Sequence, residues 1–202
     1  YQSVGLENNR STRFLELMSQ YDSISYDDFK RIKYDNQYPT KMMTPKAVNL
    51  EMMMHLDEKK YPGIADAILL LKKWNRKSDK TNTSAALFIL SYMYVDEKRK
   101  KENRIVRNGT ITLEDCIYGI TKAKEELLAN YGVLEVELGK VQRHTRGSVN
   151  LPIGGAPDVL AAMYSRKQED GSYRAFAGES YIELVRFGKN GVEVETINSY
   201  GS

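Results

Sequence analysis

A chain of 202 residues, 41% hydrophobic and 28% charged, has the composition of an ordinary globular protein and is long enough for one large domain or two small ones. Its 30 basic and 27 acidic residues leave a formal charge of +3, too small a bias to draw it to nucleic acid or an anionic membrane. The single cysteine, Cys116, excludes an internal disulfide framework and a multi-cysteine metal site, and no stretch approaches the roughly 20 apolar residues of a bilayer span.

Asn8 or Asn9 can cap a first helix, in which Phe14, Leu15, Leu17 and Met18 form an apolar stripe beside Arg10, Arg13 and Glu16. Ser25 predicts a second helix start, with Asp27 and Asp28 favoured by the helix dipole and Phe29 and Ile32 facing inward. Thr44 followed by Pro45 predicts a third helix running through Met52 to Lys59, before Pro62 and Gly63 interrupt it. Ile68, Leu69, Leu71 and Trp74 continue the helical period from Ile64, and Asn82, Thr83 or Ser84 can cap the next helix through Leu87, Phe88, Leu90, Met93 and Tyr94. Thr112 with Asp115 three residues on is close to a capping box, opening a helix through Ile117, Ile120 and Leu127 that Gly132 can end. Residues 1–132 therefore read as a helical subdomain.

Beyond Gly132 the glycines cluster, Pro152 and Pro157 appear, and the apolar runs shorten, so 133–202 reads as a β-rich segment. Residues 180–187 and 192–199 predict a hairpin joined by the four-residue loop 188–191. Its first strand is apolar on both faces, which places it inside a layered structure. The fold class expected is α+β.

No local chemical signature stands out. His55 and His144 do not belong to a metal-binding pair, and Gly154-Gly155 lacks the lysine and serine of a phosphate loop, so these glycines read as turn residues. The basic run Lys98, Arg99, Lys100, Lys101, Arg104 and Arg107 is diluted by Asp96, Glu97 and Glu102 and reads as a solvated helix end. Met42, Met43, Met52, Met53 and Met54 read as core filler, as does Cys116. Glu125 and Glu126, like Asp27 and Asp28, read as exposed solubilising carboxylates.

Four segments, taken in order, carry more. Residues 7–18, with Arg10, Arg13, Phe14, Glu16 and Leu17, are followed by a helix containing Asp28, Phe29 and Lys30; residues 70–90 place Leu70, Leu71 and Trp74 ahead of Ser84, Ala85, Ala86, Leu87 and Phe88. Residues 140–158 contain Val141-Gln142-Arg143, Arg146-Gly147, Leu151-Pro152, Gly154-Gly155 and Pro157-Asp158, and residues 176–202 contain Gly178, Ser180 and Tyr181 and end in Tyr200-Gly201-Ser202. Together they resemble the C-terminal half of the β-subunit of the penicillin acylase (penicillin amidase) family, particularly its aculeacin acylase and acyl-homoserine lactone acylase branch. The third segment is the most specific, although Leu138 and Lys140 replace a tryptophan and a glutamate of the family pattern.

The resemblance implies strands belonging to the αββα core of an N-terminal nucleophile hydrolase. It implies an intact protein, periplasmic or secreted, that cleaves a small-molecule acyl amide, with no obligatory redox cofactor. Calcium binds some relatives, but none of the matched segments supplies its ligands. In such enzymes the nucleophile is a serine at a subunit N-terminus, whose own amine is the base, helped by an oxyanion-binding asparagine. Neither is identified here: the chain opens at Tyr1, and it is expected to be an internal piece whose partners are the remaining α- and β-subunit segments of one precursor. The resemblance places Arg10 on the arginine beside that asparagine, with Arg13 the candidate if the register shifts. The rival expectation is a helical binding or scaffold domain without catalysis.

Overall fold

The computed structural model describes residues 8–42, 50–104 and 111–198. The helices α1 (Asn9–Met18), α2 (Tyr26–Lys33), α3 (Ala65–Lys73), α4 (Ala85–Lys101) and α5 (Leu113–Tyr131) come first. A short helix, α6 (Leu138–Val141), leads directly into the strands β1 (Gln142–Arg146), β2 (Val149–Pro152), β3 (Met163–Lys167), β4 (Tyr173–Gly178), β5 (Tyr181–Gly188) and β6 (Gly191–Asn198). The fold is α+β, as the change of period at Gly132 predicts.

Local chemistry sets the helix ends. Asn8 caps α1 by accepting from the Ser11 N–H, Ser25 caps α2 reciprocally with Asp28, and Thr112 caps α5 reciprocally with Asp115. Gly132 stops α5 in the left-handed conformation at φ 72°, which a residue without Cβ adopts without strain. Asn82 serves α4 from two positions upstream, its Oδ1 accepting the N–H groups of Ser84 and Ala85.

The expected helix through Met52 to Lys59 is not one helix. Its start lies outside the described residues, and Met52–Met54 and Glu58–Lys60 are separate 3-10 turns. The Asp57 carboxylate accepts the Lys59 N–H and begins a new turn where a continuous helix would pass. The α1 stripe is divided, with Phe14 and Leu15 exposed and Leu17 and Met18 half-buried. Phe29 does not face inward; it is exposed, while Ile32 is buried.

The core is built around α4, whose residues from Ala85 to Leu90 are all buried, so that it is covered on every side. Helix α5 crosses it closely at Gly119, where a Cβ would stand 2.5 Å from the Ser91 carbonyl oxygen. On the other flank Tyr38, Trp74 and Phe88 form an aromatic cluster, with centroids 5.8 Å (Tyr38–Trp74), 5.3 Å (Tyr38–Phe88) and 4.4 Å (Trp74–Phe88) apart. Cys116, Met42, Met53 and Met54 fill this core as expected; Met43 lies outside the described residues. Val136, Leu138, Val141, Ala156, Val159 and Tyr173 belong to the same buried cluster, so helices and strands share one interior.

The larger sheet has the order β2-β1-β4-β3, with β1 and β4 parallel and the outer pairs antiparallel. Strands β5 and β6 form a separate antiparallel pair whose register matches Gly188 with Gly191, so the loop is the two residues Lys189 and Asn190 rather than four. The hairpin is not enclosed. Leu184 is buried and Glu195 reaches Lys30 of α2 at 2.6 Å, but on the other face Val185, Phe187, Val192 and Val194 are exposed, Phe187 by 81%.

Candidate functional site

The glycine-rich segment after β2 is held by backbone and by one buried side chain. The Gly155 N–H donates to the Ser78 carbonyl at 2.8 Å, Gly154 lies so close to Ser78 that a Cβ would stand 2.6 Å from its oxygen, and Gly155 has φ +94°. Gln142 is buried and fully used: its Nε2 donates to the carbonyls of Gly154 (3.2 Å) and Gly155 (3.1 Å), and its Oε1 accepts from Ser165 at 2.9 Å. Arg143 fastens β1 to β2 through Asn150 and to α6 through the Gly139 carbonyl.

This anchored segment delivers Asp158 to the start of α1. Asp158 has φ 61°, a left-handed conformation in which a side chain normally costs roughly 1 kcal/mol. From there its Oδ2 accepts the Asn9 N–H at 3.2 Å, joining residues 149 apart in sequence. A carboxylate at a helix N-terminus satisfies an orphan donor and complements the dipole. The adjacent Pro157 carbonyl accepts from the buried Tyr38 hydroxyl at 2.5 Å, so the Asp158 loop is fixed from the aromatic cluster as well. Asn9 is itself buried, and its Oδ1 accepts no hydrogen bond from the described residues.

One turn along α1, Arg13 holds the helix at its other flank. Its Nε and Nη2 grip the two oxygens of Asp35 at 3.0 and 2.9 Å, and Nη2 and Nη1 reach Gln37 and Glu16 at 3.3 and 3.2 Å. Hydrogen bonding to Asp35 raises the Arg13 pKa further, so this guanidinium is permanently charged and fully engaged.

Arg10 lies between these two anchors, half-exposed, and neither its N–H nor its guanidinium is held by a hydrogen bond or ion pair among the described residues. It is a cation on the first turn of a helix whose neighbours are immobilised. The backbone that carries it is fixed, while the guanidinium itself remains available to an anionic or polar group.

The two histidines take no part. His55 is exposed beside Glu51 at 3.2 Å, and His144 pairs with Leu151 on the outer strand β2. Among the described residues no group of three His, Cys, Asp or Glu stands together as metal donors, and no helix is long and apolar enough to cross a membrane.

Two clusters depart from the sequence expectations. Glu126 is not an exposed carboxylate: it is buried against the sheet, accepting from the Tyr94 hydroxyl and from the Tyr173 hydroxyl at 3.1 and 3.2 Å, with Lys167 Nζ at 2.8 Å. Burial and the Glu126 charge both push the two phenols above their ordinary pKa. The basic run is only partly a solvated helix end. Arg99 is buried, Lys98 reaches Asp115 at 2.8 Å, and Arg104 grips the same carboxylate at 3.0 and 2.6 Å; Arg107 lies outside the described residues.

Asp158 of the glycine-rich segment and the Arg13 clamp thus both hold α1, the helix that carries Arg10. The family model of penicillin amidase matches residues 2–202, and the chain belongs to the penicillin amidase family. A comparison with curated proteins finds no match.

Proposed function

We propose that this chain is a supporting piece of an acylase that cleaves an acyl group from an amine, with its N-terminal serine nucleophile and oxyanion asparagine on segments outside these residues. Family membership over residues 2–202 carries this reading, because members of the family are hydrolases of amides. The placement in the C-terminal part of the β-subunit, the aculeacin and acyl-homoserine lactone acylase branch, and a periplasmic or secreted location rest on the four sequence segments.

Within that reading Arg10 is a positioning residue. It acts on the oxyanion through the asparagine beside it, orienting the amide and favouring negative charge. The exposed face of the β5–β6 hairpin supports the assembly side of the proposal: Val185, Phe187, Val192 and Val194 are the surface against which the remaining segments of the precursor would close the layered core. A two-stranded hairpin gains little stability alone, so a further layer there would stabilise it.

The kinetic test is Arg10→Ala and Arg10→Lys in the intact enzyme. Loss of one oxyanion donor costs roughly 100- to 1000-fold, and a residue acting through that donor should cost less, about 10- to 100-fold in the acylation rate with KM little changed. Partial rescue by lysine is expected, and an unchanged acylation rate in Arg10→Ala would reject the assignment. The genetic test is the reading frame: a self-cleavage junction followed by serine upstream supports the hydrolase, whereas native start and stop codons at the two ends favour the scaffold alternative.

A further inference from the structure

Between the C-terminal half of α4 and the face of β3 and β4 lies a cavity of about 470 Å³, within the range of small-molecule sites. Its walls are apolar and aromatic: Ile89, Met93 and Pro157, with the rings of Tyr92, Tyr164 and Phe176. The Glu126 knot closes one end, since Tyr94, Lys167 and Tyr173 line the cavity while they hold that carboxylate.

The charges at the walls do not cancel. Glu97 is held by Lys101 at 2.7 Å, Asp96 faces Arg99 at 3.8 Å, and Lys167 sits on Glu126 at 2.8 Å. That leaves Lys100 and Arg166, both exposed and neither in an ion pair among the described residues. The Arg166 guanidinium is stacked on the Phe176 ring at 3.9 Å. Stacking fixes the plane of the group and leaves its N–H edge available for two parallel hydrogen bonds.

We infer that this cavity binds an amphipathic carboxylic acid, its apolar body between Met93, Tyr164 and Phe176 and its carboxylate on the Arg166 fork with Lys100 alongside. The apolar walls favour removing a hydrocarbon or aryl body from water. The two uncompensated cations select an anionic head and repel an ammonium. A strongly hydrated ligand such as a sugar phosphate would satisfy the cations but not the walls. The inference does not depend on the hydrolase reading, because it is argued from the walls and charges of the cavity alone and the site lies on residues with no assigned catalytic part.

The test uses the full-length protein and decanoate carrying a diazirine at its far end, irradiated and mapped by mass spectrometry. Labelling is expected within 89–100 and 164–176, competed by decanoate but not by decan-1-ol or decyltrimethylammonium at equal concentration. The double variant Lys100→Glu/Arg166→Glu should lower that labelling at least tenfold. Met93→Trp, which fills the cavity without touching the charges, should do the same, each variant being checked for an unchanged melting temperature. If the charge reversal unfolds the protein, Lys100→Gln/Arg166→Gln is read in its place. Labelling confined to other segments, equal competition by the alcohol, or undiminished labelling in folded variants would overturn the assignment.

Discussion

Glu126 offers the sharpest test of how the helical layer is joined to the sheet. Replacing it with alanine removes the acceptor of two phenols and leaves Tyr173, which is only 4% exposed, with a hydroxyl that water reaches poorly. An unsatisfied buried hydroxyl costs about 1–3 kcal/mol, and the volume lost adds about 1 kcal/mol. Tyr94 is half-buried and can turn to water, and Lys167 is 52% exposed, so neither adds much. The expected loss for Glu126→Ala is therefore about 3 kcal/mol, which for a chain of this size lowers the melting temperature by roughly 6–12 °C. Glu126→Gln keeps the volume and an oxygen able to accept from both phenols, and should lose only about 1 kcal/mol. Urea unfolding at neutral pH measures both. A loss below 1 kcal/mol in Glu126→Ala, or equal losses in the two variants, would refute the reasoning.

Asp115 gives a pH dependence with a definite sign. Burial alone would raise its pKa, but Arg104, Lys98 and Thr112 outweigh that and hold it well below the usual carboxylate range. A depressed folded-state pKa means stability that is full above the unfolded value of about 4 and is lost as pH falls below it. Asp115→Asn should thus be destabilised by about 2–3 kcal/mol at pH 7, with the gap to the parent narrowing in acid melts below pH 4. Cys116, whose thiol burial pushes up to about 12, should react with a disulfide reagent at pH 8 only after denaturant is added; prompt labelling of the native chain would contradict its burial. Gly119→Ala should cost about 2 kcal/mol or more, because the added methyl meets the backbone oxygen of Ser91 at 2.5 Å and Val95 Cγ2 at 2.8 Å; a neutral effect in thermal melts would show that α4 and α5 can separate freely.

The sequence by itself determined the starts of α1, α2 and α5, the stop at Gly132, the change to strands after it and the family resemblance. These signals are local: Ser25 with Asp28 and Thr112 with Asp115 each complete their hydrogen bonds within three residues, so spacing alone reveals them. It also singled out Arg10, through resemblance, as the one residue proposed to influence the reaction. Tertiary structure decided which groups surround it. Asp158 meets the Asn9 N–H across 149 positions, and Arg13 meets Asp35 across 22, separations at which no periodicity carries information. The same limit explains Glu126, which on α5 looks like any surface carboxylate beside Glu125 until Tyr94 and Tyr173 arrive from another helix and a strand. It explains the hairpin too. Alternation in 181–198 sets which residues share a face, but only packing shows that Leu184 is covered by this chain while Phe187 is left exposed.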